Sequence, residues 1–479
     1  MDRIEKIVFL SLVLDLFAFT IPLPLFPRII EWYTVRESSD PRGLLSKTLQ
    51  LVSWLRGLFY NPAGNPQKWD VVLLGGLMGS AFSLLQFLVS PKIGALSDRY
   101  GRRRVLLVTM LGNILSASVW IKSTTFASYM ISRIIGGLSE GNVQLATAIL
   151  SDITTPAQRS KSLAQIGIAF AICFCIGPPI GAYFAARPLP SSLAAMGIEL
   201  NIYAIPAAIS LLLLIIETVF LFVALPETHN RRLNSQTNRN VDQGNQSPGE
   251  SPSRTGQQRR LDMLNTLCHL HFLFLSVFSG IEFTLTFLTF DLFDWSNSQN
   301  GALIGSIGII SALLQGGYVR QAIPKVGEGR MAKRGVASCI IGLIFLSLIP
   351  PFASSKPSTA IKLLQAVVVC LAFTSATVVS SLTSYASLQC DGGFDEDTGK
   401  PTQEHPQLAK GVALGKFRSA GQLGRALGPL LTCASYWTYG PTITYAMSAV
   451  AMIILSLSMV SLAANPHPSV QVEGKPTCT

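Results

Sequence analysis

The sequence predicts an all-α membrane protein with twelve transmembrane helices in two pseudo-symmetric six-helix lobes, and three observations carry that prediction. Only 13% of the 479 residues are charged and 49% are hydrophobic, with mean hydropathy +0.42; a soluble domain carries about 25% charge. The apolar residues gather in runs of roughly 20, the length of a helix across a bilayer and too long for a barrel strand. A polar stretch at 226–263 divides the runs into six and six, and the fifth run of each half carries a Gly-Pro step: "CIGPPIGAYF" at Gly177-Pro178 and "ALGPLLTCASY" at Gly428-Pro429.

Each part follows in order. Residues 1–225 form an N-terminal lobe, with spans near 6–29, 71–92, 104–122, 126–150, 162–186 and 201–225. The first span, "KIVFLSLVLDLFAFTIPLPLFP", holds Asp15 and three prolines and lacks a small-residue cleavage site, so it reads as a retained helix and not a signal peptide. Residues 226–268 form a cytosolic flexible linker rich in Asn, Gln, Ser and Arg. Its sequon at Asn245 is then out of reach of glycosylation. Residues 269–463 form the C-terminal lobe, with spans near 269–290, 300–320, 335–353, 360–388, 410–434 and 441–463, and 464–479 is a cytosolic tail.

The net charge of +11 sits in short clusters between the runs. That pattern orients a membrane chain with both termini in the cytosol and excludes nucleic acid as a partner. The lipid bilayer is the expected partner, and the chain is expected to act as a monomer. Most of the eight cysteines fall inside apolar runs without metal-ligand spacing, so they read as small apolar fillers. No phosphate-binding loop is present, and no catalytic grouping appears within the spans. The expectation is therefore a non-enzyme with no cofactor or metal, in which a proton can serve as the coupling ion. Plasma membrane is the default location, with internal and nuclear-envelope membranes as alternatives.

The densest charge lies between spans 2 and 3, in "GALSDRYGRRRVLL". Gly101 allows a tight reversal, the arginines hold the loop in the cytosol, and Asp98 can both neutralise them and meet the positive N-terminus of a neighbouring helix. Gly94, Asp98, Arg99, Gly101, Arg102 and Arg103 resemble the loop signature of the major facilitator superfamily. In that family the cluster latches the lobes together, and "SDITTPAQRSK" supplies a companion in Asp152 and Arg159. Three further stretches resemble the family. Span 4 carries Arg133, Gly137 and Gly141 at its Arg-xxx-Gly-xxx-Gly spacing, and span 5 carries Gly167, Gly177, Pro178 and Gly181 of its antiporter signature. In span 1, Asp15 precedes Pro22-Leu23-Pro24-Leu25, as in its drug-efflux group. The resemblance implies the facilitator fold and transport by alternating access.

Charge inside the bilayer costs roughly 2.5–3.5 kcal/mol per residue on insertion scales, so each such group has a partner or a task. Glu282 is the one charge near the middle of span 7 and suits a proton carrier, or a carboxyl tied to a neighbouring helix. Arg418 and Arg425 stand seven residues apart in span 11, close to two turns, and so point the same way. They can bind a carboxylate or sulfonate, or one of them can neutralise Glu282. Arg133 and Glu140 repeat that spacing in span 4, where Arg133 resembles the family arginine linked to proton transfer. Glu140 instead favours a cation or zwitterion. Asp15 either lines the cavity or bonds to a neighbouring helix. The Gly177-Pro178 and Gly428-Pro429 steps bend or seal their helices.

The leading reading is a secondary transporter that exports small and drug-like organic anions, with proton antiport. The alternatives are a proton-coupled exporter of drugs and organic cations, and a non-transporting receptor or scaffold on the same fold.

Overall fold

The computed structural model describes residues 3–22, 25–37, 40–59, 66–185, 200–228, 254–295, 297–390 and 405–460. Its N-terminal half holds α1 (Arg3–Thr20), α2 (Phe26–Arg36), α3 (Leu44–Phe59), α4 (Pro66–Tyr100), α5 (Arg102–Ile121), α6 (Phe126–Ser139), α7 (Asn142–Ile153), α8 (Pro156–Ala185) and α9 (Ala204–Ala224). The second half holds α10 (Arg254–Phe293), α11 (Asn297–Leu314), α12 (Arg320–Val326), α13 (Glu328–Ser355), α14 (Pro357–Gln389) and α15 (Lys410–Ser458). Eight helical stretches among the described residues are long and apolar enough to cross a membrane by themselves.

Two apolar cores organise these helices. One joins α1, α4, α5, α7, α8 and α9 through residues such as Leu12, Met110, Leu145 and Leu221. The other joins α10, α11, α13, α14 and α15 through Phe274, Leu343, Leu371 and Met452. A third cluster, around Tyr33, Trp120, Phe126 and Tyr129, ties α2 and α3 over one end of the first lobe. The lobes meet where α4 runs along α15 and where α8 runs along α11 and α14.

The two halves repeat one construction. Gly101 enters α5 with φ 97 and ψ 151, and Gly327 enters α13 with φ 91 and ψ 147. Both conformations lie in the left-handed half of the map, which glycine adopts freely. The fifth span of each half also packs closely on the first: a Cβ at Gly177 would fall 2.0 Å from Thr20 Oγ1, and one at Gly428 would fall 2.3 Å from Ser279 Oγ.

Several boundaries differ from expectation, each for a local reason. The first span ends at Thr20 because the proline run follows it, and the long first loop contains α2 and α3. Span 4 is two half-helices: Glu140 leaves helical geometry at φ −72, ψ 96, and Gly141 caps the second half. Span 8 carries a π-helical turn at Gln315–Val319. Spans 11 and 12 follow one another through Gly440, whose φ of 82 makes the bend between them. Residues 254–268, expected in the flexible linker, are helical because Leu264, Leu267 and Cys268 bury one face in the second core. The sequon at Asn245, most of the linker and the tail lie outside the described residues.

Candidate functional site

At the end of the bundle that carries the arginine loop, the lobes are held shut. Asp98 accepts hydrogen bonds from the backbone N–H of Gly411 at 2.9 Å and Val412 at 2.8 Å, so its charge sits on the N-terminus of α15. The fit depends on Gly94, because a Cβ there would lie 2.0 Å from the Gly411 carbonyl oxygen. Arg102, almost fully buried, spans Asp98 at 2.7 Å and Asp152 at 3.0 Å. Asp152 also meets Lys410 at 3.4 Å, and Lys410 donates to the Ser151 carbonyl at 2.7 Å. Arg159 is wholly buried and donates to the Ser151 and Thr154 carbonyls within its lobe and to the Ser387 carbonyl of the other.

The structure thus brings Gly94, Asp98, Gly101, Arg102, Asp152 and Arg159 into one interlobe contact. Arg103 sits beside it, donating to the Phe222 carbonyl with its guanidinium over the Phe222 ring, and Arg99 lies over Tyr100. Sequence reasoning missed Glu227, which caps α5 by accepting from Arg102 N at 2.9 Å, and Glu328, which accepts from Ser160 of the other lobe at 2.8 Å. Glu328 directly follows the reversal at Gly327, where a carboxylate beside a helix N-terminus was a readable signal, whereas Glu227 reaches the Gly101 reversal from the far end of α9, which spacing in the sequence does not announce.

Behind this contact lies a charged interior. In the N-terminal lobe a cavity of about 70 Å³ is lined by Asp15, Arg133 and Glu140, the polar Asn113 and Ser210, and the aromatic Phe82. Asp15 is buried and accepts from Asn142 at the start of α7. Arg133 lies over the rings of Trp120 and Tyr129, at 5.5 and 5.4 Å. Arg133 and Glu140 share this cavity, but not by helical spacing, since the helix ends before Glu140. Glu217, also missed, is wholly buried next to this group and accepts from Ser11 at 2.7 Å. It is the single charge in the most apolar span, so the rule that singled out Glu282 also applied to it.

Across the interface, α15 presents Arg418 and Arg425 from one face. Arg418 feels the charges of Glu140 and Asp15, and its buried Nε has no hydrogen-bond partner. Arg425 stands within electrostatic range of Glu282, and both side chains are exposed. The bending residues divide by role. Gly177, Gly181 and Gly428 make close contacts within a lobe, Gly167 faces Gln315 of the other lobe, and Pro178 and Pro429 lie inside continuous helices.

A helix broken at Glu140, two similar lobes and a motif-borne gate describe a carrier, and a family comparison decides which kind. The sequence model of the Major Facilitator Superfamily matches residues 8–393. The chain belongs to that superfamily of membrane transporters. It is 34% identical to mouse major facilitator superfamily domain-containing protein 10, over 98% of this chain and 94% of the relative. It superposes on the crystal structure of the human organic anion transporter MFSD10 (TETRAN) with TM-score 0.75 and 31% identity, covering 95% of this chain and 99% of that one. The proton:xylose symporter XylE superposes with TM-score 0.64 at 14% identity, over 96% of this chain and 95% of XylE, which shows the shared fold.

Proposed function

We propose that the protein is a secondary transporter that moves small organic anions by alternating access, with Arg418 and Arg425 as the anion-binding groups. The observation that carries this reading is the arginine pair itself. Two guanidinium groups stand on one face of α15, with Arg418 Nε buried and unpartnered and Arg425 exposed. Such groups offer bidentate donors to a carboxylate or sulfonate. Glu282 is then the internal counter-charge that competes with the anion for Arg425, so protonating it frees the site. The human relative named an organic anion transporter supports the same substrate class. The gate that is shut here is the cytosolic one, because the arginine-rich loop marks the cytosolic side.

A second reading rests on the other lobe. Asp15 and Glu140 open on a cavity walled by Phe19, Phe82 and Trp120, a lining suited to an organic cation. One experiment separates the two: uptake of labelled organic anions and cations into proteoliposomes, with and without a pH gradient, for the wild type, Glu282→Gln and Arg425→Ala. Anion uptake driven by the gradient, uncoupled in the first variant and abolished in the second, supports the anion reading. Uptake of cations alone moves recognition to Glu140 and Asp15, and no uptake of either by folded protein leaves the scaffold reading.

A further inference from the structure

The two helices between spans 1 and 2 turn different faces outward. α4 runs from the end of α3 to the arginine loop, so α2 and α3 lie at the opposite end of the bundle. At 11 and 16 residues, both are shorter than the roughly 20 that a span requires. Each buries one side in the same cluster, α2 through Ile29, Ile30 and Tyr33 and α3 through Leu45 and Val52. The free side of α2 is that of a helix in water: Arg28, Glu31, Thr34 and Arg36 are exposed, with Val35 among them. The free side of α3 is apolar. Leu44 is 46% exposed, Leu51 47% and Trp54 61%, and their i, i+7, i+10 spacing puts them on one side with Lys47 between them and Gln50 at the flank. Thr48 and Ser53 turn their hydroxyls back to the Leu44 and Gln50 carbonyls of the same helix, so neither depends on water.

We propose that α3 is an interfacial helix that docks on the lipid headgroup layer of the leaflet opposite the arginine loop, with Leu44, Leu51 and Trp54 at the acyl boundary and Lys47 beside the lipid phosphates. α3 rests on α6, a span helix whose Ile131, Ile134 and Leu138 are exposed and face acyl chains once the bundle is in a bilayer. The stripe on α3 therefore borders surface that lipid already covers. An indole is amphipathic and favours this depth, and a lysine stem lies along apolar surface while its ammonium reaches the phosphates. The helix carries Lys47 and Arg56 and no acidic residue, a charge that complements phosphate. α3 packs on α4 and α6 of one lobe and also touches α15 of the other. A helix held by lipid thus lies across the seam between the lobes, at the end away from the arginine loop. This goes beyond the transport reading and does not depend on it.

The test uses the full-length protein in nanodiscs of phosphatidylcholine and phosphatidylglycerol. Tryptophan fluorescence of the wild type is compared with that of Trp54→Phe, in lipid brominated high on the acyl chains and in unbrominated lipid. Phenylalanine keeps the apolar contact, and the difference between the two proteins is the emission of Trp54. The expected result is that bromine quenches most of this difference while aqueous iodide leaves it almost unchanged. A nitroxide on a ketone-bearing side chain at Leu51 gives a second measurement that does not need Trp54. It should respond to oxygen more than to a water-soluble nickel chelate, and the same label at Glu31 of α2 should show the reverse. Trp54 emission that bromine does not quench overturns the proposal: iodide quenching then means that this face meets water, and quenching by neither means that protein, such as a second copy of the chain, covers it. A label at Leu51 that responds to nickel as the one at Glu31 does overturns it as well.

Discussion

Gly94→Ala should bias the transporter towards opening at the loop end while leaving each lobe intact. The added methyl would sit 2.0 Å from the Gly411 carbonyl oxygen and 2.9 Å from Gln144 Nε2. The first neighbour is backbone and cannot rotate aside, so α4 and α15 must separate before ordinary contact returns. Separation also lengthens the hydrogen bonds from Gly411 and Val412 to Asp98. Overpacking of this kind costs about 1–3 kcal/mol, and the cost falls only on the closed state, because parted lobes have no such contact. At about 1.4 kcal/mol per tenfold, the closed-to-open ratio falls by roughly five-fold to a hundred-fold. The assay is labelling by a membrane-impermeant maleimide of a cysteine introduced as Ser151→Cys, since Ser151 is wholly buried against Ser387 of the other lobe. In that background Gly94→Ala should raise the labelling rate by the same factor. An unchanged rate, with unchanged thermal stability, refutes the reasoning.

Other substitutions test separate parts of the fold. Arg102→Ala leaves Asp98 and Asp152 without their shared cation, and breaking such a buried pair costs about 3–5 kcal/mol; thermal unfolding of purified protein should show a large drop. Gly440→Ala forces an L-residue to φ 82 with nothing within 4 Å to clash, so about 1–3 kcal/mol of pure backbone strain should appear in the same measurement. Gly79→Ala, equally free of neighbours but mid-helix, should be neutral or gain up to about 1 kcal/mol. Burial holds the Tyr33 hydroxyl above its ordinary range, where it donates to the Ser123 carbonyl at 2.9 Å. A raised value in the folded state adds stability that is complete below the unfolded value of about 10 and is lost as pH climbs past it. Alkaline unfolding should therefore steepen above that pH in the wild type and flatten in Tyr33→Phe.

The parts of this molecule that charge alone dictates were legible in its sequence. An aspartate among four arginines at the mouth of two apolar runs implied a helix N-terminus waiting for it, and α15 provides one at Gly411 and Val412. The seven-residue spacing of Arg418 and Arg425 likewise survived folding, because α15 is continuous between them. The same spacing misled in span 4, where Glu140 lies beyond the end of α6: a glycine beside an acid inside an apolar run does not announce a break. Helices α2 and α3 were hidden in a stretch whose charges resembled a loop, and their apolar residues, Ile29, Tyr33, Leu45 and Val52 among them, find a core only against α4, α5, α6 and α9. The twin of Gly101 at Gly327 escaped notice because Glu-Gly-Arg follows it where Arg-Arg-Arg follows the first. Backbone conformation repeated there while side-chain chemistry diverged.

The unwound step at Glu140–Gly141 makes span 4 a pair of levers with separate anchorages. The α6 half is fastened to the aromatic cap through Phe126 and Tyr129, which pack with Tyr33 and Trp120. The α7 half is fastened across the molecule, where Ser151 and Ser387 share a hydrogen bond at 2.7 Å. A continuous helix would carry any tilt of one end to the other. Here the pivot absorbs it, so the rim beneath α2 and α3 can stand still while the opposite mouth moves, with Glu140 at the pivot itself.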